Sequence, residues 1–318
     1  MNNRKLPREL LHPRHWPTWF WLASWRLLLV FPYPVLRVLG RGLGVLMYRF
    51  GRERRAIATR NIELCFPHLS AAERRRLLKD NFFSYGMAPF EIGMAWWWSN
   101  RRLAKVVTLE GLEHIEALDG QGALLLAAHF TTLEVGASAL TMHVDIDGMY
   151  RPNNNPVFDY VQRRGRERRA QAGAAFPRED LRGILKALRA GRILWYAPDQ
   201  DYGRKQAVFA PFFGVAASSV TATARLAQMG RAAVLPFTHY RLPGNAGYRV
   251  QVHAPLQGFP VGDEVADATT INALVERFIE PYPAQYMWLH RRFKTRPEGE
   301  ERIYPRRRSR RRKARRRR

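Results

Sequence analysis

The sequence predicts an α/β sandwich, with helices packed on a mixed sheet. Two observations carry that expectation. Beyond residue 106, short apolar runs at residues 123–128, 146–150, 193–197, 233–238 and 248–252 alternate with helical stretches, the pattern of strands joined through crossovers. The 318 residues are 46% apolar and 12% aromatic, enough for a sizeable core and too apolar for a disordered chain.

Taken in order, residues 16–39 are apolar and aromatic and long enough to cross a bilayer, which needs about 20 helical residues. Arg26 near the centre and Pro32 and Pro34 toward the end interrupt a clean span. The segment is read as a membrane-anchor helix, spanning or tilted in the interface, with a buried amphipathic helix as the competing reading. Basic residues flank it on both sides and are in excess downstream, which places the following domain in the cytoplasm. Residues 52–91 read as helical, interrupted at Pro67 and restarting at the capping box Ser70-Ala-Ala-Glu73. Trp96, Trp97 and Trp98 suit either core packing or an interfacial anchor. The division expected is an arm and anchor over residues 1–50, a catalytic domain over 51–300, and a basic, disordered tail over 301–318.

The chain carries 53 Lys and Arg against 27 Asp and Glu, a net charge of +26. Eleven of residues 306–318 are basic, which leaves +15 on the rest. Both parts call for anionic partners. A nucleic acid would suit the charge, but the aromatic N-terminal segment has no place in a soluble nucleic-acid binder. Anionic membrane lipid fits the tail better, at about 1 kcal/mol per basic residue near the surface. Cys65 is the single cysteine, so neither an intrachain disulfide nor a cysteine metal cluster is expected. His143 and His239 lack partners at metal-ligand spacing, and no metal is inferred.

Chemistry concentrates at Ala123-Leu-Leu-Leu-Ala-Ala-His-Phe-Thr-Thr-Leu-Glu134. A buried strand would deliver His129 to its carboxyl end, where open α/β sheets bind ligands. Thr131 or Thr132 would cap the next helix and put Glu134 in its first turn. With a turn between them the two side chains can converge: a neutral imidazole takes a proton from a hydroxyl, and a carboxylate at its second nitrogen fixes the tautomer. An ordinary strand-end histidine beside a first-turn acid is the plainer alternative. Gly136-Ala-Ser138-Ala-Leu140 fails the nucleophile-elbow pattern, which leaves direct transfer to an acceptor hydroxyl. Arg151 follows a strand in a loop suited to substrate or to a plain turn. Residues 163–169 hold five arginines, fit for phosphate binding or for a solvated helix face. Asp199 and Asp201 follow the strand at 193–197 and suit either ligand contact or an Asx turn.

Five motifs in order, His129-x4-Glu134, Tyr150-Arg-Pro-Asn-Asn-Asn-Pro156, Trp195-Tyr-Ala-Pro-Asp-Gln-Asp-Tyr-Gly203, Pro211-Phe-Phe-Gly214 and Gln285-Tyr-Met-Trp-Leu-His-Arg-Arg-Phe-Lys294, resemble the late acyltransferases of lipid A biosynthesis, the lauroyltransferase branch above all. The resemblance spans roughly residues 16–299 and leaves out the arginine tail. It implies a glycerol-phosphate acyltransferase-like sandwich with an N-terminal membrane-anchor helix, on the cytoplasmic face of the bacterial inner membrane. It implies transfer of a fatty acyl chain, lauroyl for this branch, from acyl carrier protein to the hydroxyl of a 3-hydroxyacyl chain on Kdo2-lipid IVA, a lipid A precursor bearing 3-deoxy-octulosonic acid sugars. No cofactor is implied. Carried onto this chain, His129 is the general base and Glu134 its orienter. Arg166 and Arg168 best match the family's basic positions for oxyanion or substrate, with Arg151, Asp199 and Asp201 near the site. A lysophospholipid or another glycolipid as acceptor is the neighbouring reading.

Overall fold

The computed structural model describes residues 6–150, 152–169, 173, 175–177 and 180–305. Two short 3-10 turns lead into helices α1 (Trp16–Leu28), α2 (Tyr33–Phe50), α3 (Arg52–Cys65), α4 (Ala71–Trp97) and α5 (Asn100–Ala104). The α/β part follows as β1 (Val107–Glu110), α6 (Glu113–Glu116), β2 (Ala123–Leu126), α7 (Leu133–Leu140), β3 (Ile146–Tyr150), α8 (Pro156–Glu167), β4 (Ala175–Pro177), α9 (Leu181–Arg189) and β5 (Ile193–Tyr196). It closes with β6 (Ala207–Phe212), β7 (Val215–Val220), α10 (Ala222–Gly230), β8 (Ala233–Arg241), β9 (Tyr248–Val252) and α11 (Glu264–Ile279).

Among the described residues, seven strands form one sheet in the order β1-β9-β8-β2-β5-β3-β4. Every pairing is parallel except the antiparallel β8–β9 pair, so the expected mixed sheet is present. The apolar run of β2 lies between β5 and β8, and residues 123–128 are wholly buried. Burial on both faces is why that strand reads as a continuous apolar run rather than an alternating one. Strands β6 and β7 pair separately through Phe213 and Gly214, both with positive φ. That is the requirement of a type I′ hairpin turn, and it accounts for the Pro-Phe-Phe-Gly motif.

The N-terminal segment departs from expectation. Instead of one anchor helix, residues 16–50 form two helices, α1 and α2, broken near Pro32. Proline is well placed in the first turn of a helix, and Pro34 sits there in α2. At about 1.5 Å per residue, the 13 residues of α1 reach about 20 Å, short of a bilayer core of about 30 Å. Among the described residues, no helix is long and apolar enough to cross a membrane. Arg102 clamps the break, donating to the carbonyls of Leu29, Val30 and Phe31 at 2.9, 3.1 and 2.7 Å, while its guanidinium lies 3.9 Å from the Trp98 ring centroid.

Helix α2 packs on α4 through small residues. A Cβ at Gly86 would fall 2.1 Å from the Gly40 carbonyl oxygen and 2.7 Å from the Gly44 Cα, so the backbones meet where no side chain fits. The start of α4 is the capping box read from the sequence: Glu73 N–H donates to Ser70 Oγ at 3.3 Å, and Ser70 N–H to Glu73 Oε2 at 2.7 Å. Trp96 and Trp98 are buried, which settles both on the core side.

Candidate active site

Register builds the site. Strands β2 and β5 are parallel, with Leu126 opposite Tyr196. His129 and Asp199 each lie three residues beyond those partners, so both chains leave the sheet side by side. The His129 backbone N–H donates to Asp199 Oδ2 at 2.8 Å, and Nδ1 lies 2.5 Å from Oδ1. Asp199 is buried. An ionised carboxylate only accepts, so Nδ1 carries the proton and Nε2 keeps its lone pair. The segment after α11 closes the back: Met287 N–H donates to the His129 carbonyl at 3.0 Å, and Thr131 N–H to the Gln285 carbonyl at 2.9 Å. Buried Asn81 in turn donates to the carbonyls of Ala284 and Tyr286 at 2.9 and 2.8 Å.

Burial alone would pull the His129 imidazole down. The charge and hydrogen bond of Asp199 outweigh it, so its pKa lies above the usual 6.5. Burial pushes the Asp199 carboxyl up, but His129 and Arg292 prevail and hold it below the ordinary 3.8. Two other histidines go the opposite way: burial takes His239 and His290 each down to about 4, which keeps both neutral and out of proton traffic near pH 7.

His129 opens onto a cavity of about 340 Å³, bounded by Glu134, Thr141, Met149, Arg166 and Trp195 among others. The Trp195 ring meets the imidazole edge-on, 6.0 Å between centroids. The cavity lies outside the carboxyl ends of β2 and β5, where such sheets place ligands.

Glu134, expected at the imidazole, is paired elsewhere. It sits in the first turn of α7, accepts from Trp96 Nε1 at 3.0 Å, and is bound by Arg166 through Nε at 3.0 Å and through Nη2. Asp199 takes the place expected of it because β5 runs beside β2, whereas the turn after His129 carries Glu134 toward α4 and α8. Neither threonine caps α7 with its side chain: Thr132 Oγ1 instead lies 2.9 Å from His239 Nδ1 and donates to the His239 carbonyl at 2.7 Å.

The arginine cluster divides. Arg166 faces the cavity, with Arg163 beside it. Arg168 turns to the Trp96 carbonyl at 3.3 Å, and Arg169 donates to the carbonyls of Ala95 and Trp98, cations at the carboxyl end of α4 as the helix dipole favours. Asp201 also leaves the site. It accepts from Gly203 N at 2.9 Å, an Asx turn, and from Thr295 N and Oγ1 at 2.6 and 2.8 Å, tying residues 294–295 to the strand end. Arg151 lies outside the described residues, as does the basic tail from residue 306. No group of three or more His, Cys, Asp or Glu able to hold a metal ion occurs among the described residues. Sequence reasoning missed Trp96 and Trp195 and did not single out Arg163 within its arginine run; the equal three-residue offsets of His129 and Asp199 past strand ends were the available signal for their pairing.

Comparison with known proteins agrees with the motifs. The sequence profile described as bacterial lipid A biosynthesis acyltransferase matches residues 4–295. The lipid A biosynthesis lauroyltransferase of Escherichia coli K12 is 45% identical, over 94% of this chain and 98% of that protein. A lipid A biosynthesis acyltransferase of Haemophilus influenzae is 44% identical over 94% and 97%. The palmitoleoyltransferase of E. coli K12 is 42% identical over 94% and 98%. With a matching profile and relatives of that identity over nearly its whole length, the chain belongs to the bacterial lipid A biosynthesis acyltransferase family and is an acyltransferase.

Proposed function

We propose that this enzyme moves a fatty acyl group, lauroyl in our reading, from the thioester of acyl carrier protein to the hydroxyl of a 3-hydroxyacyl chain on Kdo2-lipid IVA. The observation that carries the reading is the His129–Asp199 pair at the mouth of the cavity. His129 Nε2 removes the proton as the hydroxyl oxygen bonds to the thioester carbonyl carbon, and Asp199 stabilises the imidazolium that forms. The tetrahedral oxyanion collapses, the C–S bond breaks, and the thiolate takes the proton back from Nε2. No covalent enzyme intermediate is needed.

Arg166 is the cation available to the oxyanion or to a precursor phosphate, and Glu134 acts as its positioning residue, since two of its guanidinium nitrogens are held by that carboxylate. The +15 outside the tail suits encounter with an acidic carrier protein. The exposed apolar side chains of the N-terminal segment, among them Trp16, Phe20, Leu27, Val30 and Phe31, support lying in the cytoplasmic leaflet of the inner membrane rather than crossing it. The same chemistry serves a lysophospholipid acceptor, and the test separates the two.

Purified enzyme and its His129→Ala variant are incubated with Kdo2-lipid IVA or a lysophospholipid, and with acyl carrier proteins charged with different chain lengths. A His129-dependent gain of one lauroyl mass on Kdo2-lipid IVA is the expected product spectrum. A gain only on the lysophospholipid would reassign the acceptor, and a gain that survives His129→Ala would remove the base.

A further inference from the structure

A second concave site lies on the far side of the segment that backs His129. It is a groove of about 990 Å³ between α2, α4 and the β8–β9 turn. Gln285 belongs to its wall, while the carbonyl of that residue accepts from Thr131 on the catalytic side. The 284–287 segment therefore partitions the two.

Three arginines line the groove: Arg37 and Arg41, one turn apart on α2, and Arg76 on α4. A fourth, Arg241, is neutralised by Glu91 at 2.6 Å and also donates to Ser84 at 2.5 Å. The acids present are Asp80 and Glu73, which keeps its charge while accepting in the capping box, so three guanidinium groups face two carboxylates and the groove keeps a net positive charge. Arg37 Nη1 is buried and has no hydrogen-bond acceptor among the described residues. That nitrogen is closed to solvent, and the guanidinium groups open to a ligand are those of the exposed Arg41 and Arg76. The lower wall is apolar, with Pro34, Val38, Phe83 and Met87. Val38 is 71% exposed, and Val35 and Leu39 beside it on α2 are also exposed.

An arginine cluster above an apolar wall fits an anionic amphiphile, since guanidinium forks match phosphate oxygens and apolar helix faces lie against acyl chains. We propose that this groove binds the phosphate headgroup of a bilayer phospholipid, apart from the reacting centre, with its chains along the exposed face of α2. The proposal stands independently of the acyl-transfer reading.

The test compares full-length protein, Arg37→Gln/Arg41→Gln, and the charge-matched control Arg182→Gln/Arg277→Gln, whose arginines are exposed on α9 and α11. Each is floated with phosphatidylcholine vesicles with and without phosphatidylglycerol, and folding is checked by thermal unfolding. Phosphatidylglycerol-dependent binding should weaken about tenfold or more in the groove variant and hold in the control. Arg76→Gln, on an exposed helix position, gives the same readout should the double variant unfold. Soluble short-chain phosphatidylglycerol should compete, and inorganic phosphate at the same concentration should not. Equal losses in groove and control variants would reduce the effect to diffuse charge and overturn the site. Competition by inorganic phosphate as strong as by the lipid would overturn the lipid assignment in favour of free phosphate.

Discussion

The carboxylate against the His129 imidazole is that of Asp199, while Glu134 pairs with Arg166 and Trp96. A buried imidazole would normally be hard to charge, yet Asp199 holds the His129 pKa above 6.5, so the proposed base frees Nε2 at a higher pH than an ordinary histidine. In the proposed mechanism Glu134 acts one step removed, through Arg166. A double-mutant cycle with Glu134→Gln and Arg166→Gln should therefore be strongly non-additive in kcat/KM, because either change alone dissolves the same bidentate pair. Additive losses would separate the two residues. Arg166→Lys should recover little, since an ammonium cannot reproduce the fork held by Glu134.

Local rules account well for single elements. The capping box at Ser70 and the strands at 146–150 and 248–252 were readable because they depend on neighbours in sequence. Ser70→Ala should cost about 1 kcal/mol in chemical denaturation. Gly40, Gly44 and Gly86 were not readable as a helix contact, since nothing local says that α2 and α4 will meet. Gly86→Ala drives a methyl into the Gly40 carbonyl and should destabilise by about 1–3 kcal/mol, measured as a lowered unfolding midpoint. An unchanged midpoint would mean that the helices part without penalty. The N-terminal segment shows the opposite failure: its composition reads as a span, but the prolines and the Arg102 clamp break it into two helices.

At the scale of the whole molecule, the site is a product of topology. His129 and Asp199 are 70 residues apart, and only the adjacency of β2 and β5 joins them, which is why both residues were named from the sequence but their pairing was not. The exposed apolar side chains of the N-terminal helices give the molecule an oily face near a strongly basic body. Phe20→Glu/Leu27→Glu should release the enzyme from vesicles with no change in unfolding midpoint, because both side chains are exposed; retained binding would move the membrane contact elsewhere. The central claim is that the paired strand ends supply base and orienter, and the pH dependence of kcat/KM for Asp199→Asn and Glu134→Gln tests it most directly. Removing the Asp199 charge leaves only burial acting on His129, so the acid limb should move to lower pH as the rate falls by about 10²-fold or more. Glu134→Gln should leave the limb where the wild type has it, whatever its rate. A limb that shifts in Glu134→Gln and stays put in Asp199→Asn would contradict the account and return the orienting role to Glu134.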